Sequence, residues 1–533
     1  MTLRRPSITA IAIPVWFSAG LLFAAPAVAQ SSASGDSLPR RTPPAGFAEC
    51  TREGVRGPAW CGHVRAPEDR ETRRGRMIDL EVVILPAAAR APLPDPVVWL
   101  EGGPGESAIK DVDWWQGSPL RAERDLVFVD LRGTGASRPA LHCDRFHTGG
   151  GRARAADGGP ERLRRLLGPD MFPLASVKRC REALERTADL RLYHNAIMMD
   201  DLDDVRAALG YERLNLIGGS GGTRAALVYL RRHPEHVRTM LLAGVVATYH
   251  KMPLYFARDA QRALEGVARE CAADSTCHRH FPDVLGDVRR AMARAEAGAS
   301  AEVRDPASGA VTKVPVRPGL VAEMIRNMLY GSAGSSLLPL YMHTAAQGNF
   351  QPIVERALGS RSHADAGRGD GVYFSVTCAE DLPWVDRAAG TRAAAGTFLG
   401  TARLRQQLDA CAAWPRGRVP ADFAEPVRSD VPTLLVSGAL DPVTPPGQGA
   451  EVARDLRNSL HIVVPSEGHQ TPLPTGEGDD GSALVGAECV ERIEVEFVRR
   501  GSVAGLDTSC VRAIRRKGFQ TSREVSAAAP AGP

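Results

Sequence analysis

Gly218-Gly219-Ser220-Gly221-Gly222 matches G-x-S-x-G, the pattern that seats a serine on a sharp turn between a strand and a helix. The match is short, and in a chain with 53 glycines it carries weight only if its flanks are right. A serine hydroxyl is a poor nucleophile until a base removes its proton. The chemistry therefore asks for a histidine oriented by a carboxylate. Two later loops supply both. Asp441 stands in Ser437-Gly438-Ala439-Leu440-Asp441-Pro442-Val443-Thr444-Pro445, and His469 in Pro465-Ser466-Glu467-Gly468-His469-Gln470. Ser220, Asp441 and His469 are the expected catalytic set. Glu467 is the nearest rival acid, but it lies too close to His469 in sequence to be the acid expected at a strand end. Acyl transfer also needs N–H donors for the developing oxyanion. The amide of Gly221, next to the serine, is one. The second is expected from Glu101-Gly102-Gly103-Pro104-Gly105, at Gly103.

The other histidines have plainer readings. His233 and His236 follow the helix expected after Ser220 and suit its C-terminal end. His461 falls inside an expected strand and reads as a packing residue, and His142 and His147 read as surface residues. No H-E-x-x-H or C-x-x-C motif is present, so metal hydrolysis and zinc or thioredoxin-type sites are disfavoured, and no cofactor is implied.

These loops need strands to end at them. Met77–Leu85, Pro96–Leu100, Asp125–Asp130, Leu214–Ile217, Met240–Val245, Val431–Gly438 and Leu460–Pro465 are apolar or alternating runs, most of them stopped by glycine or proline. Helical spacing over Asn195–Leu209, with Gly210 beyond it, and a helix over Thr223–Arg232 intervene. Strand–helix alternation implies a mostly parallel sheet covered on both faces. Open sheets of this kind place their sites at the strands' carboxyl ends. The texture turns helical and rich in Ala and Arg from Tyr249 to Arg368. The expected organisation is residues 76–248 as the first part of the core, 249–370 as an inserted helical cap, and 371–521 as the rest of the core. Gly149–Pro160 reads as a surface insertion, and the Asp130–Ser137 turn as structural support.

Residues 1–29 read as an export signal: Arg4 and Arg5, an apolar run from Ile8, then Ala27-Val28-Ala29. Residues 30–75 read as an N-terminal extension and 522–533 as a disordered tail. A net charge of +4 with no basic block gives no sign of a nucleic-acid partner. No other run is apolar enough to span a membrane once the signal is removed. The ten cysteines suit an oxidising compartment, periplasmic or extracellular. Spacing alone leaves connectivity open. Neighbours are expected to pair: 50–61, 143–180, 271–277, 378–411 and 489–510.

Leu100–Gly105, Asp130–Ser137, Gly218–Thr223, His233-Pro234-Glu235, Leu440–Pro445 and Gly468-His469 together resemble the prolyl aminopeptidase and tripeptidyl aminopeptidase group of secreted α/β-hydrolases. The resemblance runs from about Arg76 to Cys510. It implies the α/β-hydrolase fold, a Ser-Asp-His triad, a helical cap, and release of one to three residues from free peptide N-termini. The chain departs from the group in two places. Glu101 stands where prolyl aminopeptidases usually carry His. Gly221 stands where relatives usually carry an aromatic residue, which keeps the amide donor and widens the space beside it. An aminopeptidase must also bind a cationic amine, and Glu380 and Asp381 are candidates for that contact. The alternatives are a carboxylesterase or lipase using the same triad, and an inactive binding protein.

Overall fold

The computed structural model describes residues 41–143, 167, 171–304, 309, 311–363, 369–469 and 483–522. Thirteen strands are found among them. They are β1 (Phe47–Cys50), β2 (Ala59–Pro67), β3 (Met77–Leu85), β4 (Val97–Leu100), β5 (Leu126–Val129), β6 (Leu214–Gly219), β7 (Val237–Ala243), β8 (Ser300–Arg304), β9 (Val311–Pro315), β10 (Thr433–Gly438), β11 (Ser459–Val464), β12 (Leu484–Val485) and β13 (Arg515–Arg516). Nine of them form one sheet in the order β1-β2-β3-β5-β4-β6-β7-β10-β11. From β5 to β11 every neighbouring pair is parallel, whereas β1, β2, β3 and β5 pair antiparallel.

Period-two alternation divides the apolar side chains between two cores. Val98, Leu100 and Leu216 pack with Leu202 and Val205 of α1 (Asn195–Ala208) and with Ala226 and Leu230 of α2 (Gly221–Arg232). On the opposite face Val97, Trp99, Ile217 and Leu434 join Val490, Ile493 and Phe497 of a C-terminal helix, Glu488–Arg500. Every residue of β4, β5 and β10 is buried, as a sheet covered on both faces requires. The helices between β7 and β10 include α3 (Phe256–Ala273), α4 (Pro318–Met328), α5 (Ser332–Ala346) and α6 (Asp370–Glu380). The first three contribute Leu264, Val267, Ile325, Leu338 and Met342 to a separate apolar cluster.

Two expectations change. The sheet starts at Phe47, inside the stretch read as an extension. In β2 the Cys, Gly, His and Arg between buried Trp60 and Ala66 dilute the apolar signal, and β1 is a half-exposed edge. The region between β7 and β10 is also not wholly helical: β8 and β9 form an antiparallel hairpin whose Val303 and Val314 turn inward. The expected export signal, the Gly149–Pro160 insertion and the tail beyond Ser522 lie outside the described residues.

Five disulfides join Cys50–Cys61, Cys143–Cys180, Cys271–Cys277, Cys378–Cys411 and Cys489–Cys510, the neighbour pairing expected, and no cysteine is free. Among the described residues no helix is long and apolar enough to cross a membrane.

Candidate active site

Ser220 occupies the turn between β6 and α2 with φ 51° and ψ −119°, a conformation that non-glycine residues rarely adopt. Backbone and side-chain bonds hold it there. Its amide donates to the Ala243 carbonyl at the end of β7 (2.8 Å), and its own carbonyl accepts from the Thr223 hydroxyl (2.6 Å). Thr223 Oγ1 accepts in turn from the Val246 amide (2.9 Å), which ties the turn to the segment after β7. Glycine is needed at 222 for lack of room: a Cβ there would run into the Leu100 carbonyl at the end of β4.

The glycine loop after β4 lies directly against this turn. A Cβ on Gly102 would stand 2.9 Å from Ser220 Cβ and 3.4 Å from the Gly221 nitrogen. A Cβ on Gly221 would stand 3.3 Å from the Pro104 nitrogen and 3.4 Å from that of Gly103. The structure thus brings Gly221 and Gly103, the expected oxyanion donors, to either side of one tight contact. It also corrects the expectation that a bare Gly221 widens the site, because the loop backbone fills the direction a side chain would take.

Glu101, at the head of this loop, keeps mixed company. Lys110 Nζ lies 3.9 Å from Glu101, 3.8 Å from Glu106 and 3.8 Å from Asp111, and Trp99 Nε1 donates to Asp111 (2.9 Å). Burial, then the charge of Asp111, push the Glu101 carboxyl well above its ordinary range.

Asp441 and His469 end adjacent strands. β10 and β11 are parallel and in register from Thr433↔Ser459 to Gly438↔Val464, so the loops that follow leave the same sheet edge. β7 pairs with β10 and β6 with β7, also parallel, which brings Ser220 to that edge. His469 Nδ1 lies 2.8 Å from Asp441 Oδ2. Asp441 is fully buried and also accepts from the amides of Val443 (2.7 Å) and Thr444 (2.8 Å) and from the Thr444 hydroxyl (2.7 Å). Burial by itself would raise its pKa. The facing His469 and these donors outweigh it and hold the carboxyl below its ordinary value. An ionised Asp441 only accepts, so His469 Nδ1 carries the proton and Nε2 is the basic nitrogen.

Thr444, Gly244 and Tyr330 also surround His469. Thr444 Oγ1 lies 3.0 Å from His469 Nδ1 as well as bonding Asp441. A Cβ on Gly244 would stand 3.1 Å from His469 Cε1. The ring of Tyr330 meets His469 edge-on, with centroids 5.1 Å apart. Asp441-x-x-Thr444 is the short-range Asp–backbone turn that a sequence can signal; Gly244 and Tyr330 meet His469 only through the fold.

Glu467 does not compete with Asp441. Its Oε1 accepts from the amides of Ser332 (3.0 Å) and Gly468 (2.8 Å). Glu380 and Asp381 are likewise committed. Both are buried, Glu380 accepting from the Asn195 amide and side chain and Asp381 from Arg224 (2.9 Å) and the Met252 amide. Glu380 and Asp381 are thus engaged inside the fold, by Asn195 and by Arg224 with the Met252 amide, and not presented as a free acidic pair. His461 Nε2 bonds Ser437 Oγ (2.9 Å), His233 pairs with Asp200 (3.0 Å) and His236 with Asp203 (2.7 Å). Among the described residues Asp203, His233 and His236 are the one group close enough to share a metal ion. Asp203 there already accepts from Arg206 (2.7 Å) and Tyr229 (2.8 Å). The Asp130 turn is structural: its carboxylate accepts from Ser107 (2.6 Å) and the Ala136 amide (2.8 Å).

Comparison with known proteins agrees with the fold. Residues 95–279 match the family described as alpha/beta hydrolase fold, and residues 396–510 the family described as TAP-like protein. The chain is 27% identical over 444 residues to serine protease Hip1 of Mycobacterium tuberculosis, covering 76% of this chain and 81% of that one. It is 27% identical over 435 residues to tripeptidyl aminopeptidase of Streptomyces lividans, covering 76% of each. Over 501 residues it is 26% identical to carboxylesterase B of M. tuberculosis, covering 85% and 86%.

Proposed function

Since the chain belongs to the α/β hydrolases and carries a TAP-like C-terminal segment, we propose that it is a serine exopeptidase, exported from the cell, that releases one to three residues from the free N-terminus of peptides. The observation that carries the reading is the pairing of His469 with buried Asp441, 2.8 Å apart, at the sheet edge where Ser220 turns on its strained φ. Similarity to a serine protease and a tripeptidyl aminopeptidase supports peptides as substrates. The five disulfides support an oxidising compartment.

The proposed cycle assigns each residue one task. His469 Nε2 takes the Ser220 proton while Asp441 holds Nδ1–H and stabilises the imidazolium. Ser220 Oγ attacks the scissile carbonyl, and the Gly221 and Gly103 amides receive the oxyanion. His469 then protonates the leaving amine, and water, deprotonated by the same nitrogen, releases the acyl group from Ser220.

The second reading is a carboxylesterase, favoured by the similarity to carboxylesterase B over most of both chains. One substrate panel separates the two: Pro-, Ala- and tripeptidyl-anilides, their N-acylated forms, and p-nitrophenyl esters of several lengths. The peptidase reading expects turnover of anilides with free N-termini and little of the blocked ones. Turnover of esters alone overturns it.

A further inference from the structure

Four parts of the chain that are distant in sequence meet at the residues just before His469. Gly468 passes so close beneath the corner between α4 and α5 that a Cβ on it would stand 2.6 Å from the Tyr330 carbonyl oxygen and would also strike that of Leu329. Glu467 reaches into the same corner. Its Oε1 accepts from Ser332 at the first position of α5 and from Gly468, and its Oε2 from the Ser332 hydroxyl (3.3 Å). Its main-chain carbonyl accepts from the Leu440 amide (2.8 Å), one residue before Asp441. Arg516, in β13, closes the group from outside, donating to the Ser332 carbonyl (2.8 Å), the Ser466 carbonyl (3.2 Å) and Glu270 of α3 (2.9 Å). The loop that carries His469 is thus bolted to α5 on one side and to the Asp441 loop on the other. The first four amides of a helix lack partners inside it, so Glu467 is a good fit for the head of α5.

We propose that Glu467 is a positioning residue for His469: by joining the histidine loop to the head of α5, it sets the imidazole against Asp441 and Ser220, so that the general base is in place only when that corner is seated. The inference rests on the reading of His469 as the base for Ser220. Glu467 touches neither substrate nor reacting atoms in this role. Its effect passes through Gly468 and the main chain.

The test uses the purified full-length protein and two substrates, p-nitrophenyl acetate, too small to need contacts beyond the nucleophile, and a peptidyl anilide. Glu467→Ala removes both acceptors and is expected to lower kcat at least tenfold on both substrates, with KM for the ester within about twofold. Glu467→Gln keeps an oxygen for the Ser332 and Gly468 amides and is expected to retain kcat within threefold. Ser332→Pro removes both the amide and the hydroxyl that Glu467 accepts from, at a first-turn position where proline suits a helix. Gly331 before it, at φ −141° and ψ 160°, already has the extended backbone proline demands. This variant should lower kcat on both substrates without touching the histidine loop, and it decides the matter if Glu467→Ala does not fold. A loss confined to KM for the anilide, unchanged kcat in Glu467→Ala and Ser332→Pro, or a Gln variant as poor as Ala overturns the proposal. Ser220→Ala, run alongside, separates the two failures: if it stays active, the function assignment is wrong, and if it is inactive while the others are normal, only the inference is wrong.

Discussion

The Ser220 turn and the His469 loop leave the same edge of one sheet, yet they are held in different ways. The serine turn is fixed by its own backbone and by near neighbours. Ala243, Thr223, Val246 and the Leu100 carbonyl surround it, and Gly222 has no room for a Cβ. The histidine loop is fixed by groups drawn from afar: Asp441 and Thr444 from the loop after β10, Tyr330 from the corner between α4 and α5, Ser332 from the head of α5, and Arg516 from the C-terminal strand. A nucleophile placed by backbone sterics is built when the sheet is built. A base placed by converging side chains depends on every segment that supplies one.

The largest effect expected on this comparison is at the link between the two regions. Asp441→Asn can offer an N–H to His469 Nδ1, which moves the ring proton to Nε2 and leaves no base for the serine. A fall in kcat of about 10⁴-fold is expected with the fold intact, by analogy with the same change in serine proteases. Steady-state kinetics with circular dichroism checks both parts.

Gly222→Ala attacks the serine side through backbone alone. With the Leu100 carbonyl in the way, the new methyl should destabilise the protein by more than about 3 kcal/mol or prevent folding, read by urea unfolding. On the histidine side, Thr444→Val keeps the shape and removes a hydroxyl that Asp441 accepts (2.7 Å). About 1–2 kcal/mol of stability and a roughly tenfold drop in kcat are expected.

The serine side could be read from sequence because its determinants are local. Leu214–Ile217, the five residues Gly218–Gly222 and the following helical run lie together in the chain, and the helix differs from its expected start only by beginning at Gly221. Asp441 and His469 were legible as strand-end loops. What holds them was not, because Tyr330, Ser332 and Arg516 have no spacing relation to His469 and reach it or the residues just before it only through the fold. The same reason explains Glu380 and Asp381. As a pair of acids they look free to bind an amine, and only the fold reveals Arg224 and Asn195 beside them. β1 and β2 have a weak sequence signal for a different reason: one is short and half-exposed, and the other mixes polar and small residues into its alternation.

Buried acids give a smaller, pH-dependent comparison. Burial raises Glu380, beside Arg224 on the serine side, and Glu467, on the histidine side, from 4.5 to about 7. A carboxyl whose folded pKa lies above its unfolded value contributes its full stability below pH 4.5. That contribution is lost as pH rises towards 7, because the unfolded chain ionises first. Each should account for a fall of about 3 kcal/mol across that window. Glu380→Gln and Glu467→Gln should each flatten the stability–pH curve, read from urea midpoints at pH 4, 5.5 and 7. The smallest effect is a control. Gly447→Ala, on a helix with open space at its Cβ, should change stability by about 1 kcal/mol or less, and in the favourable direction.

The central claim is that Ser220 is the nucleophile, and a fluorophosphonate probe followed by peptide mass mapping tests it most directly. A single adduct on the peptide containing Ser220 is predicted for the wild-type protein, with none in folded Ser220→Ala. Labelling that persists in Ser220→Ala, or an adduct on another residue of the wild-type chain, would contradict it.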